Sequence, residues 1–220
     1  MVLSSLGTGI AGGAVATLAQ AFKSNAEVKR MKREISKEEH HDHRGRFTEG
    51  FLDKQLILDA LNVEPGQTIL DAGCGDGYMS KAFSKKVNHS GKVYAVDSDK
   101  HCIEILRKEA EGTNVQAIEG DITNLMQVDQ SSVDIIHVST VIHGFYQAQL
   151  RAFLEEAKRL LKTNGVLAIV EIEKKETPFG PPLNMRFSPE ELREAVAMAP
   201  LNNVKVGEHL YMQMFRNTKS

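Results

Sequence analysis

The residues able to do chemistry fall into short clusters, each placed at the end of an apolar run. The first is Asp71-Ala72-Gly73-Cys74-Gly75-Asp76-Gly77-Tyr78, where three glycines alternate with other residues directly after Thr68-Ile69-Leu70. Glycines so placed let a backbone turn sharply, visit positive φ and admit a ligand where a Cβ would stand in the way. The spacing is not the G-x-G-x-x-G of dinucleotide sites, and no Gly-Lys-Ser/Thr follows to hold a triphosphate. Taken alone, such a run also reads as a loop without chemistry.

The second cluster is Asp97-Ser98, which ends the run from Lys92 and stands twenty residues past Gly77. A ribose-binding carboxylate belongs there in a nucleotide-binding βαβ unit. Gly120-Asp121-Ile122 follows the short run Val115 to Ile118. Ser139, Thr140 and His143 follow Val133 to Val138, and Glu171 and Glu173 end the run from Val166. Carboxylates suit vicinal hydroxyls and amines, and backbone amides suit a ring nitrogen. His143 reads in two ways: a ring satisfied by neighbouring backbone, or a general base or orienting group beside an acceptor atom. Glu171 either partners it or finishes its strand toward solvent.

With Asp71 to Gly77 as the glycine motif, Asp97 as the acidic strand end and Gly120-Asp121-Ile122 as the adenine motif, residues 48–216 resemble the class I S-adenosylmethionine-dependent methyltransferases. The resemblance implies S-adenosylmethionine as cofactor and a Rossmann-like, doubly wound, mostly parallel seven-stranded α/β sheet with helices on both faces. It implies that Asp71 and the loop of Gly73, Cys74, Gly75, Gly77 and Tyr78 hold the methionine portion. Asp97, with Ser98 beside it, takes the ribose hydroxyls; Gly120, Asp121 and the Ile122 backbone meet the adenine; Ser139 completes the set. The reaction would be direct displacement, for which the protein aligns donor and acceptor and excludes water, and no metal is needed. Gly180-Pro181-Pro182 resembles the quinone and arsenite branch, although the cysteine set of an arsenite enzyme is absent. Two other classes stay open: an aminopropyl transferase, which would show a different glycine motif and an acidic pair where Ser139-Thr140 stands, and a cofactor-binding or membrane-assembly protein without turnover.

The elements that must hold these clusters alternate. Strands are expected from 68 into the glycine turn and at 92–97, 115–118, 133–138 and 166–172, the last a continuous apolar run suited to a strand covered on both faces. Helices are expected at 51–61, 78–87, 100–111 and 147–161, from apolar residues at helical spacing. Ser188-Pro189-Glu190-Glu191 has the form of a helix start, with the helix running to about Met198 and stopping before Pro200. Residues 203–210 and 211–216 have strand character, and the resembling fold makes one of the closing strands antiparallel. The segment 174–187, with three prolines, is long for a plain connection and reads as a second pocket wall.

At 220 residues, the chain has room for one well-buried α/β domain, expected at 48–220, and an N-terminal extension at 1–47. A net charge of −2 argues against a nucleic-acid partner held through broad phosphate contacts. Two cysteines form neither a disulfide framework nor a zinc site, which points to a reducing, cytoplasmic compartment. Residues 2–22 carry no charge and precede a basic cluster, Lys23 to Arg33. They read as a membrane anchor or surface-lying helix, as a helix packing on a partner or on its own domain, or as a disordered or processed leader. A membrane reading would favour a lipid-like acceptor over other small molecules. In 38–47, three histidines and three acids read as a polar surface segment, as a lid in which His43 and Arg46 touch substrate, or as a metal site, for which no second ligand cluster appears. Oligomeric state is not encoded in any pattern found.

Overall fold

The computed structural model describes residues 50–218. The uncharged leader, the His40–His43 cluster, His43, Arg46 and the boundary expected near residue 47 lie outside the described residues. Seven strands, β1 (Thr68–Ala72), β2 (Lys92–Asp97), β3 (Val115–Glu119), β4 (Val133–Ser139), β5 (Leu161–Ile172), β6 (Ala199–Lys205) and β7 (Leu210–Arg216), form one sheet in the order β3-β2-β1-β4-β5-β7-β6. Neighbouring strands run parallel except β7, which is antiparallel to both β5 and β6. The expected doubly wound, mostly parallel sheet is therefore the one formed. Its strand order reverses at the β1/β4 pair, and the ends of those strands open the crevice in which such sheets bind ligands.

Helices α1 (Lys54–Ala60), α2 (Tyr78–Val87), α3 (Lys100–Glu109), α4 (Gln147–Leu160) and α5 (Pro189–Ala195) cover the two faces. Alternate residues of the central strands point to opposite sides, so both sides must be apolar. Ile69, Val93, Ile135 and Met212 pack with Ile57 of α1 and Phe83 of α2. Leu70, Ile136, Leu167 and Phe215 pack with Phe153 and Leu160 of α4 and Leu192 of α5. Helix starts follow from local chemistry. Asp53 and Asp99 accept from the first amides of α1 and α3, and Ser188 with Glu191 forms the expected capping box on α5.

Several boundaries differ from the sequence expectation, among them β6, which occupies 199–205 and not 203–210. α1 begins at Lys54 rather than near Phe51, because Asp53 caps it. β5 begins at Leu161, immediately after α4. Leu161 pairs with Val133, the chain then bulges, and Val166 resumes pairing with Ile135. α5 stops at Ala195, and Pro200 lies inside β6, an edge strand whose pairing shifts between Pro200 and Asn203. A proline is tolerated there because an edge position does not require its missing N–H.

The β5 bulge is held from the far end of the chain. The buried Asn217 side chain donates to the carbonyls of Leu161 and Lys162, at 3.0 and 3.2 Å. Its backbone accepts from Asn164 and donates to Gly165. Asn217→Ala strands two carbonyls at a buried site and is expected to lower unfolding free energy by about 1–3 kcal/mol, read from urea melts of the two proteins. A midpoint unchanged from wild type would show that the bulge holds itself.

Candidate functional site

The strand registers gather the expected residues into one row. Ala72 pairs with Val96 and Val138, Asp97 with Glu119, Ser139 with Val170, and Glu171 with Tyr211. Gly120, Asp97, Gly73, Ser139, Glu171 and Tyr211 thus mark the same edge of the sheet on successive strands. Neighbouring strands lie ~4.8 Å apart, so the glycine loop and Glu171 are separated by two strand spacings, about 10 Å.

The glycine loop is fixed from several sides. Gly73 and Cys74 donate their amides to the Val96 carbonyl at 2.8 and 3.0 Å, and Gly77 donates to Cys74 at 2.9 Å. Gly73 (φ 74°), Gly75 (φ 53°) and Gly77 (φ 82°) all occupy the left-handed region. A Cβ on Gly73 would stand 2.4 Å from Val141, and one on Gly77 would stand 2.4 Å from Leu106. Gly77 caps α2 without a side-chain acceptor and places the positive end of the helix dipole at the glycine loop. Tyr78 opens α2, with the Lys54 ammonium 4.8 Å from its ring centre.

Asp71 faces inward. Its side chain is 4% exposed; Oδ2 accepts from Ser80 Oγ at 2.5 Å and Oδ1 from His137 Nδ1 at 2.9 Å. Asp97 is half-buried; Oδ2 accepts from the Gly75 amide and Oδ1 from the Asp99 amide, each at 2.8 Å. Each carboxylate oxygen carries a further lone pair. Ser98 is exposed beside it. Asp121, also exposed, uses Oδ1 to accept from the Thr123 amide and hydroxyl, forming a turn that buries Ile122. Ser139 Oγ is buried with no hydrogen-bond partner among the described residues.

Beyond β4 the chain makes a strained turn. Thr140 has φ 54°, unfavourable for a β-branched residue; its hydroxyl donates to the Ser139 carbonyl and its amide to Val170. That turn lays Val141 on Gly73 and brings His143 to Glu171, Nδ1 to Oε2 at 2.7 Å. Glu171 is fully buried, whereas the His143 side chain is 18% exposed. A carboxylate at Nδ1 places the ring proton there and leaves Nε2 as an acceptor. Tyr211, opposite Glu171, donates its hydroxyl to the Phe187 carbonyl at 2.7 Å. Burial first, and then the Glu171 charge, push its acidity far down, so it remains a phenol. The His143–Glu171 pair lies on the α4 face of the sheet, and the Asp71–Ser80 contact on the α2 face.

The wall after β5 is organised by a residue the sequence reading did not single out. Arg186 is 6% exposed. Its guanidinium donates to the carbonyls of Glu173, Lys175, Phe179 and Pro181 and to the Thr177 hydroxyl, at 2.7 to 3.1 Å. The acceptors come from alternate residues, so the proline-rich segment is an arch wrapped around one cation. No local pattern announces this, because a single arginine among prolines looks like any polar loop residue.

Residues 69–165 match the model of a family described as a methyltransferase domain. The chain is 28% identical over 126 residues to a demethylmenaquinone methyltransferase of Staphylococcus saprophyticus, covering 57% of this chain and 53% of that protein. It is 34% identical over 130 residues to a probable ribosomal RNA small subunit methyltransferase A of Thermococcus onnurineus, covering 50% and 46%. Across the first curated relatives it matches, the chain spans between 34% and 53% of their length. A crystal structure of a SAM-dependent methyltransferase from Aquifex aeolicus superposes with a TM-score of 0.68 at 25% identity, over 88% of this chain and 98% of that one.

Arg186→Lys removes the fork that reaches five acceptors and is expected to cost about 2–3 kcal/mol, with amides of 173–187 exchanging at least tenfold faster by mass spectrometry. Unchanged exchange in that segment would show that the arch stands without the guanidinium. The thiols give a second expectation. Burial, then the Asp99, Asp97 and Asp76 charges, push Cys102 up to about 11, and burial raises Cys74 further. Roughly a thousandth of Cys102 is thiolate at pH 8. Its alkylation by iodoacetamide in the native protein should therefore keep rising about tenfold per pH unit to pH 10, whereas an ordinary thiol levels off near pH 8.5.

Proposed function

We propose that this chain, whose residues 69–165 match a methyltransferase domain and whose fold is similar to that of a SAM-dependent methyltransferase, transfers a methyl group from S-adenosylmethionine to a small-molecule acceptor. The observation that carries this reading is Asp97. Its carboxylate is held by two backbone amides at the crevice edge, and each oxygen retains a lone pair for a ribose hydroxyl. The rest of the donor set fits the same cofactor. The α2 amides and dipole suit a carboxylate, the unpartnered Ser139 Oγ stands beside Gly73, and the exposed Asp121 carboxylate suits an amine.

S-adenosylmethionine, when bound, supplies a methyl group already activated by its sulfonium. The chain's own residues have the remaining work of holding, aligning and drying the site, and alignment of this kind contributes roughly 7–11 kcal/mol at best. The glycine loop and Asp97 hold the cofactor at the ends of β1 and β2. His143 accepts the acceptor's proton at Nε2 when one must leave, while Glu171 keeps Nδ1–H in place and stabilises the imidazolium that forms. The arch around Arg186 walls the acceptor side after β5. A demethylmenaquinone methyltransferase among the relatives favours a quinol-like, lipid-like acceptor. No helix among the described residues is long and apolar enough to cross a membrane.

Calorimetric titration with S-adenosylmethionine and its demethylated product tests this reading directly. Wild type and His143→Gln should bind both ligands in the micromolar range with affinities within about threefold of each other, since His143 serves the acceptor. Asp97→Ala should bind at least tenfold more weakly, because two hydroxyls lose a charged acceptor. Folded wild-type protein that binds neither ligand would overturn the function.

A further inference from the structure

The chain buries an Asp–His pair whose histidine the methyl-transfer reading does not use. Asp71 and His137 are register partners on β1 and β4, with side chains 4% and 1% exposed. Ser80, fully buried in the first turn of α2, donates to the other Asp71 oxygen. Aspartate is the centre of this set and both its neighbours donate to it, so the serine is not activated and nothing reaches it from solvent. The arrangement is a clasp. Residues 71 and 80 are the two ends of the glycine loop, and their side chains close it by a 2.5 Å hydrogen bond, while His137 anchors the clasp to the next strand.

The state of His137 is dictated by its surroundings. Nδ1 meets a carboxylate, and Nε2 is buried without a partner among the described residues, with the Phe83 ring edge-on at 5.2 Å between centroids. A proton on Nε2 would be a buried donor with nothing to donate to, so the single ring proton belongs on Nδ1. His137 is therefore a fixed donor to Asp71. Without it, Asp71 would keep a buried charge with one oxygen unanswered, at the position where β1 runs into the glycine loop.

Resting on the cofactor reading above, we infer that His137 is a positioning residue for S-adenosylmethionine. Acting through Asp71, it sets the glycine loop in its binding shape without touching the ligand. Two substitutions separate this role from mere filling of space. His137→Leu keeps most of the volume and removes the donor. His137→Asn removes volume but places an amide N–H where Nδ1 stands.

The test is calorimetry with S-adenosylmethionine and its demethylated product on each protein, well below its melting midpoint, with the midpoint recorded. The expected result is a split. His137→Leu binds about tenfold or more weakly, while His137→Asn binds within about threefold of wild type although its midpoint falls, as a cavity requires. Wild-type affinity in the leucine variant, or equal loss in both, overturns the inference and leaves the cofactor reading intact. Should the leucine variant not fold, the asparagine variant decides alone: retained affinity at a lowered midpoint supports the inference, and lost affinity overturns it. Long-range 1H–15N spectra of the wild type give a check independent of cofactor. Nδ1 protonated and Nε2 bare is expected, and the reverse tautomer overturns the inference. No binding by folded wild type would overturn the cofactor reading and the inference with it.

Discussion

A buried negative charge has to be answered by donors, and the site is built around two that are. Asp71 sits where β1 becomes the glycine loop, under α2, where water does not reach it. An isolated carboxylate there would cost several kcal/mol, which Ser80 and His137 offset by donating to it. The consequence is geometric as well as energetic: once those donors are fixed, the loop's ends are fixed. The three positive-φ glycines then have one path to follow, with Val141 and Leu106 closing off the space their missing side chains leave. Glu171 repeats the theme on the other face, where His143 answers it from a turn whose strain is concentrated at Thr140.

Arg186 is the converse case, a buried cation answered by carbonyls and a hydroxyl. Carbonyl dipoles from alternate residues can surround a planar guanidinium only if the backbone curls around it. A segment rich in proline has few backbone donors of its own, so an arginine that supplies several donors from one point suits it. The wall is thereby a preformed shape.

Much of this was legible before any coordinates. Continuous apolar runs located the strands, and apolar residues at helical spacing most of the helices, because strands covered on both faces are apolar over most of their length. The glycine spacing, Asp97 and Gly120-Asp121-Ile122 marked the row of strand ends, since each is a local signature at the end of a run. What escaped was long-range pairing. His137 is 66 residues from Asp71 and interrupts the apolar run Ile135 to Val138, so nothing nearby explains it. Arg186 and Asn217 hold backbone carbonyls, a role that leaves no pattern in sequence. Strand boundaries moved for the same reason: the β5 bulge depends on a side chain more than fifty residues later.

The placement of β7 has a consequence for how the chain is made. It is the last of the seven strands in sequence, yet it lies between β5 and β6. A polypeptide leaving the ribosome N-terminus first can lay down β1 to β5 in parallel as each helix follows, but β6 has no neighbour to join until residues 210–216 have emerged. Through that interval the edge of β5 is open, with the backbone N–H and C=O groups of 166–172 that will pair with β7 left unpaired. The nascent sheet is thus incomplete until β7 has emerged, and until then the open edge is that of β5, the strand that carries Glu171.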